Sequence, residues 1–342
     1  MKFAVFTDLH LGIKQDDSSW HEVALNWCDS MVKTLKEKNV KDIIFLGDFF
    51  HNRNTICVDT LNVTSKFLKK LTDFNLHMIL GNHDLYYKKE YTTSAVNIFD
   101  GFPNIKIYQK PEYITVGNKK LLFCGWGYDL MEYKSDILFT HAEISTFKFN
   151  ETQTCEDGYL CSDLLKNHRL IYTGHFHLRQ TKKYKLGEIR YVGNPFQMDF
   201  SDENDKKGFD ILDTETGERE FIENKISPRF VRMKLSKMIQ KDPEEMISII
   251  RNSYFKLIID RNINTEDLNE LLSLINGCRP RSSAHEYLNK QAFVKDENGE
   301  VEMISFQIED AIQEYITNVL NIPEKREILK YSIDLYKRVA LR

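Results

Sequence analysis

Five strand-like runs between residues 3 and 177 of this 342-residue chain each lead directly into side chains that bind metals. Residues 3–7 lead into Asp8-x-His10, residues 43–46 into Gly47-Asp48, and residues 77–80 into Gly81-Asn82-His83-Asp84. Residues 137–139 run toward His141, and residues 170–172 into Gly174-His175-Phe176-His177. A sheet fixes the backbone of such runs, and the loops behind them let side chains converge at one carboxyl edge. Two cations roughly 3.5–4 Å apart clamp the attacking and leaving oxygens of a phosphoryl displacement, and a bridging carboxylate holds that spacing. Mixed imidazole, carboxylate and amide donors suit Mn, Fe or Zn better than Ca or Mg. The pattern describes a two-metal hydrolase.

Each motif alone has a plainer reading. Asp8-x-His10 also fits an ordinary turn after a strand, and Gly47-Asp48 a strand-ending turn. The Gly174-His175-x-His177 pair also reads as two satisfied surface histidines, although period-two spacing puts both rings on one side of an extended segment. It is the five in this order, each behind a β-type run, that outweigh those readings.

Together, Asp8-x-His10, Gly47-Asp48, Gly81-Asn82-His83-Asp84, His141 and Gly174-His175-x-His177 resemble the calcineurin-like metallophosphoesterase signature. Within that superfamily, residues 7–12 (TDLHLG), 46–53 (LGDFFHNR) and 191–195 (YVGNP), with Lys207-Gly208-Phe209, resemble the SbcD nuclease family, especially its short bacteriophage recombination-endonuclease members. The specific motifs cover roughly residues 1 to 225. One departure stands out: Thr140 occupies the position before the fourth-motif histidine where the family usually has Gly, a change expected to bear on the local turn rather than on metal binding.

The resemblance implies an α/β fold, a four-layer αββα metallophosphoesterase sandwich with a small α+β capping domain and a C-terminal helical hairpin. It also implies two divalent ions, with Mn2+ the expected metal. One would be held by Asp8, His10, Asp48 and His177, and the other by Asp48, Asn82, His141 and His175. His83 matches the residue that protonates the leaving 3′ oxygen, with Asp84 expected to orient its ring, and His51 matches a second histidine near the substrate. The implied activity is DNA exonuclease and endonuclease cleavage in end processing, recombination, repair and replication. The implied partners are an SbcC-like ATPase of the SMC family and a second copy of the chain. In the family, helices after the second and third motifs pair two subunits. Leu61, Phe67, Leu68, Tyr91, Val96, Ile98 and Phe99 supply apolar residues there, which burial within one subunit explains equally well.

Net charge is −4, unlike that of a free-standing nucleic-acid binder, so DNA contacts must be local and a partner must supply much of the affinity. Candidates are Asn52 and Arg53 beside the site, Lys88 and Lys89 after the third motif, and Arg179 with Lys182, Lys183 and Lys185. The last group reads equally as a solvated hairpin. Six cysteines, at 28, 57, 124, 155, 161 and 278, show no CxxC pair or disulfide ladder, and the first residues form a strand instead of a signal segment. No apolar run approaches membrane-spanning length, so a cytoplasmic protein with no membrane contact is expected.

Apolar residues Trp20, Val23, Ala24, Trp27, Met31 and Leu35 recur at helical spacing over residues 19–38, where core packing is the expected role, and a second helix is expected over about 57–74. The nuclease domain is expected over 1–226, followed by a linker-like stretch near 223–230. A β-α-β-α-β capping domain is read over 227–290, with a helix capped by Thr265. Residues 291–302, polar and containing Asn298-Gly299, are expected to be a flexible linker. In 303–342, Ile304, Ile308, Ile312, Tyr315 and Val319 form one helical face. Pro323 starts a second helix with Ile328, Leu329, Ile333, Leu335, Tyr336 and Val339. That pair is either a hairpin packed on its own globule or a docking module for the ATPase, and the resemblance favours docking. Two other functions remain open: a phosphoesterase acting on small or protein phosphate esters, and a non-catalytic DNA-end adaptor.

Overall fold

The computed structural model describes residues 1–87, 90–91, 93–288, 291–295, 301–305, 312–313, 315–319 and 325–340. Contacts divide the chain into two compact units. The first comprises Met1–Arg232, Ile247–Phe255 and Cys278–Ser282, and the second Met233–Met246, Lys256–Gly277 and Ser283–Arg342.

The first unit holds two six-stranded sheets. One is built on four parallel strands, β1 (Lys2–Phe6), β2 (Asp42–Phe45), β3 (Asn75–Ile79) and β4 (Ile105–Tyr108). The other contains β5 (Glu112–Val116), β6 (Lys119–Cys124), β7 (Ser135–His141), β8 (His168–Gly174), β9 (Gln180–Tyr184) and β10 (Gly187–Tyr191), in the order β5-β6-β7-β8-β10-β9. Two further strands, β11 (Gly208–Asp213) and β12 (Arg219–Glu223), return antiparallel beside β1 and complete the first sheet in the order β12-β11-β1-β2-β3-β4.

Strand alternation explains the layering. Phe3, Val5, Ile44, Leu46 and Ile79 of the first sheet share one fully buried cluster with Leu121, Phe123, Ile137, Phe139 and Tyr172 of the second. Ala4, Phe6, Ile43, Phe45, Leu76 and Met78 point the other way, into a core with the helices Ser18–Glu37 and Val58–Lys70. Leu122, Leu138 and Ile171 do the same on the far face, against the helix Cys161–Asn167. This is the expected αββα sandwich.

The residues at helical spacing in Ser18–Glu37 are all buried, with Asp17 capping the start by accepting from the Ser19 amide at 2.7 Å. Trp27 packs edge-on against Phe6 of the sheet, as expected. Trp20 does something else: it stacks on Phe230 and Tyr254, whose rings are themselves 4.6 Å apart and nearly parallel. Phe67, Leu68, Val96 and Phe99 are core residues, so only Leu61, Tyr91 and Ile98 of the expected self-association set remain even partly exposed. Thr140 also departs from expectation. It lies inside β7, fully buried, and bears on no turn.

A three-stranded sheet, β13 (Arg229–Lys234), β14 (Ser253–Ile259) and β15 (Ser282–Tyr287), alternates with the helices Pro243–Ile250 and Thr265–Gly277. The second helix is capped by Asn264, which accepts from the Asp267 amide at 2.8 Å, instead of by Thr265. The stretch expected to be a flexible linker pairs at both ends: β16 (Gln291–Lys295) and β17 (Val301–Ser305) form an antiparallel hairpin. Apolar residues alternate in both stretches, Ala292 and Val294 in one and Val301 and Met303 in the other, and this strand pattern outweighs their charges. Ile304 is thus a strand residue and not the start of a helix. Ile308 and Pro323 lie outside the described residues, Tyr315–Val319 form a π turn, and Lys325–Ala340 form the expected last helix.

Candidate metal centre

Every strand expected to deliver a donor ends at the shared carboxyl edge. Two glycines let the loops close there. A Cβ on Gly81 would fall 2.2 Å from Asp48 Oδ1, and one on Gly174 would fall 2.2 Å from Thr7 Oγ1 and 2.8 Å from His141 Nδ1. Four of the seven donor residues, Asp8, His10, Asp48 and His175, have left-handed backbones (φ between 47° and 87°). Such conformations are costly away from glycine and persist only where the surroundings hold them.

Two groups of donor atoms result. Asp8, His10 and His177 form one, and Asp48, His141 and His175 the other, with the atoms of each group within 4.8 Å of one another. His10 Nε2 faces His177 Nε2 at 3.1 Å and lies 3.8 Å from Asp8 Oδ1. Asp48 Oδ2 stands between the groups, 3.7 Å from His10 Nε2 and 3.4 Å from His141 Nε2. Asn82 Oδ1 joins the second group, 3.0 Å from His141 Nε2 and 2.9 Å from His175 Nδ1. Converging imidazole nitrogens, carboxylates and an amide oxygen fit borderline divalent cations.

Ring orientation is set from outside the groups. His141 Nδ1 donates to the Leu46 carbonyl at 2.7 Å, leaving Nε2 as its donor toward a cation. His175 Nε2 donates to Glu143 at 3.1 Å, leaving Nδ1. His83 Nδ1 donates to the His51 carbonyl at 2.7 Å, and the His83 amide donates to Asp48 Oδ1 at 2.8 Å. The His51 ring stacks on the His83 ring with centroids 5.8 Å apart, and His10, His51 and His83 converge in a third group.

Asp84 is a correction. Its carboxylate does not address the His83 ring; fully buried, it accepts from the amides of Asp48, Phe49 and Gly81 at 2.8–2.9 Å. The chain makes a tight turn at Gly81 that points Asp84 back beneath the second and third loops, a relation that adjacency in sequence does not reveal. Arg179 is another. It stacks on Phe221 with its guanidinium carbon 3.6 Å from the ring centroid, donates to the Val192 carbonyl at 3.2 Å and pairs with Asp210, so it braces the interior. Lys182 bonds the Thr146 carbonyl at 2.7 Å. Asn52 is exposed and Arg53 half-buried in the turn after His51, while Lys88 and Lys89 lie outside the described residues.

Charge follows from these contacts. Burial holds His10 well below its usual range, and burial with help from His141 pushes His175 down to about 3, so both rings are neutral. Burial opposes charge on His141, but Asp48 more than offsets it and raises the group to about 9. A cation arriving there must displace that proton. Burial also opposes charge on Asp48, yet the surrounding imidazoles, His141 first, keep its carboxyl far below the usual range. Burial pushes Asp8 up, lowers His51 with help from His83, and with Asp48 pushes Asp84 up to about 7 against its three amide hydrogen bonds.

His10, Asp48, His175 and His177, with His51 and His83, line a cleft of about 460 Å³ that also includes Lys14 and Gln15. Lys14, Gln15 and Asp16 are three consecutive left-handed residues, with Asp16 held by the Thr60 hydroxyl. No local sequence signal marks such a turn. Glu143 leaves a faint one, two residues past His141 and hence on the same side of an extended segment. The 191–195 and 207–209 motifs acquire a physical role. Lys207 Nζ, buried between Asp202 and Asp205, donates to the His177 carbonyl at 2.7 Å, and Asn194 bonds Asp202 at 3.2 Å.

Residues 1–179 match the calcineurin-like phosphoesterase family. The chain belongs to it. As a calcineurin-like phosphoesterase, the protein is a metal-dependent enzyme of a family that uses divalent metals, and its two donor groups are candidates to hold them. Over 98% of its length it is 26% identical to exonuclease subunit 1 of Enterobacteria phage T4, 98% of which is covered. The GAP50 anchor of the Plasmodium inner membrane complex is similar over 66% of this chain and 89% of its own, with 14% identity and a TM-score of 0.42. A dimetal phosphatase from Danio rerio is similar over 62% and 91%, with 10% identity and a TM-score of 0.37. Neither overlap is close enough to carry a functional argument. No helix among the described residues of this phosphoesterase is long and apolar enough to cross a membrane.

Proposed function

We propose that the protein is a metal-dependent DNA nuclease subunit, with exonuclease and endonuclease action, that works with an SbcC-like SMC-family ATPase in end processing, recombination and repair. The observation that carries this reading is the pair of donor groups sharing Asp48, in a chain similar over nearly its whole length to a phage exonuclease subunit.

Asp8, His10, Asp48 and His177 would hold one ion, and Asp48, Asn82, His141 and His175 the other. When bound, two divalent ions, Mn2+ in this proposal, polarise the phosphate and lower the pKa of the attacking water. The protein's own groups do the rest. The hydrogen bond from His83 Nδ1 to the His51 carbonyl leaves Nε2 to carry a proton to the leaving 3′ oxygen. The bond from its amide to Asp48 Oδ1 ties that acid to the carboxylate between the two groups, so acid and phosphate keep one spacing. Asp84 holds the loops in place, and His51 stacks against the acid. Lys14, Asn52, Arg53, Lys88 and Lys89 would meet DNA phosphates.

With a net charge of −4, the chain needs its partner for much of its DNA affinity. The helix Lys325–Ala340 exposes Ile328, Tyr331 and Leu335, one helical face, which suits docking on the ATPase. Exposed Leu61 and Ile98 are the remaining candidates for a homodimer contact. A direct test compares cleavage of single-stranded and nicked DNA with hydrolysis of phosphomonoesters by the purified chain in Mn2+. Faster turnover of the monoesters would favour a different phosphoesterase, and absence of both would favour a DNA-end adaptor.

A further inference from the structure

A second cavity, of about 400 Å³, lies on the outer face of the second sheet at the same carboxyl edge as the donors. Its walls include Trp126, Tyr128, Leu130 and Tyr159, and its floor is β7 at Thr140, whose side chain shares the outer face with Leu138. It is separated from the second donor group by a single layer of side chains. The Trp126 ring lies 4.9 Å from that of His175 and 6.0 Å from that of His141, and His141 itself lines the cavity.

Two polar side chains line it. Glu143, at the rim, accepts from His175 Nε2 through Oε1 at 3.1 Å, and among the described residues nothing donates to Oε2. Thr140 Oγ1 is fully buried, and among the described residues it has no hydrogen-bond partner. A cavity with aromatic walls, a carboxylate among its lining residues and a buried hydroxyl beneath suits one ligand class. We infer that the cavity takes a nucleobase of the DNA strand whose phosphate lies at the donor groups. This rests on the nuclease reading above.

In that arrangement the base stacks on Trp126, and Glu143 Oε2 accepts from an exocyclic amine, as adenine, cytosine and guanine offer and thymine does not. A base can enter only when it has left its duplex, so the pocket favours single strands and frayed ends.

Two measurements on the full chain test the inference. The first is tryptophan fluorescence: Trp20 and Trp27 are buried in the core, so Trp126 is the ring a ligand can reach. Saturable quenching by dAMP, not reproduced by ribose 5-phosphate and lost in Trp126→Phe, supports the pocket; absence of quenching, or equal quenching by ribose 5-phosphate, overturns it. The second uses single-stranded oligonucleotides carrying one abasic residue at successive positions, in Mn2+. An abasic residue at one position beside the cut should slow cleavage roughly tenfold, and Thr140→Val should change the ranking of the four bases at that position. Equal rates for every abasic position would overturn the pocket while leaving the nuclease reading intact. If no oligonucleotide is cleaved, the nuclease reading fails, and the quenching result alone decides whether the cavity binds a base.

Discussion

The two sheets contribute to one site, but they hold their donors in opposite ways. The first-sheet loops bring Asp8, His10, Asp48 and Asn82, and a buried anion, Asp84, gathers the second and third of those loops by accepting three of their amides. The second-sheet segments bring only histidines, and a buried cation, Lys207, holds the last of them by donating to a carbonyl. The amides of Asp48, Phe49 and Gly81 in the first-sheet loops turn inward, where an acceptor must meet them. The His177 segment turns a carbonyl inward and needs a donor. A burial-compatible charge of opposite sign therefore sits under each edge, one satisfied by amides and the other by Asp202 and Asp205.

The sharpest attack on this comparison is at the residue both groups share. Asp48→Ala is expected to lose both ions and bring DNA cleavage below detection with the fold retained. Metal analysis and a gel assay check it, and substantial Mn2+-dependent cleavage by that variant would remove Asp48 from the shared position. Next come the two braces, Asp84→Ala and Lys207→Met, each expected to cost roughly 3–5 kcal/mol in urea unfolding because buried partners are left unpaired. They should differ in metal content. Asp84→Ala disturbs both positions through Asp48, whereas Lys207→Met weakens only the one that includes His177. Equal loss at both positions in Lys207→Met would dissolve the division between the edges.

A smaller effect is expected at His83, proposed as the acid, whose amide bonds Asp48 Oδ1 and whose ring converges with those of His10 and His51. His83→Ala should keep both ions and DNA binding while slowing cleavage roughly a hundredfold or more; loss of metal would make it a ligand. The smallest effect is expected at Lys14, which lines the cleft from its strained turn. Lys14→Ala should raise KM for DNA a few-fold with kcat unchanged, and lower the salt slope of binding by about one. An unaltered slope would mean that the turn serves something other than phosphate.

The strands, the helices that cover them and the donor order were legible because each rests on local pattern. Short apolar runs ahead of the donor motifs expose β1, β2, β3, β7 and β8, and the spacing of Trp20 through Leu35 exposes the first long helix. The pairing of β16 with β17 was legible in principle, since apolar residues alternate in both, but the surrounding charge argued for a connector. Asp84 and Arg179 were misread for one reason. A titratable side chain next to a functional residue, or in a basic cluster, can point into the interior, and only its partners decide.

Local sequence thus determined which atoms this protein carries to one edge and in what order, because strand period and glycine breaks act over a few residues. Which ring nitrogen each histidine presents, what Asp84 and Lys207 hold, and the cavity behind His175 were decided by the tertiary structure. Those features depend on pairs far apart in the chain: His141 with Leu46, His175 with Asn82, Lys207 with His177. Hydrogen-bond geometry between residues that distant exists only once the two sheets have packed face to face.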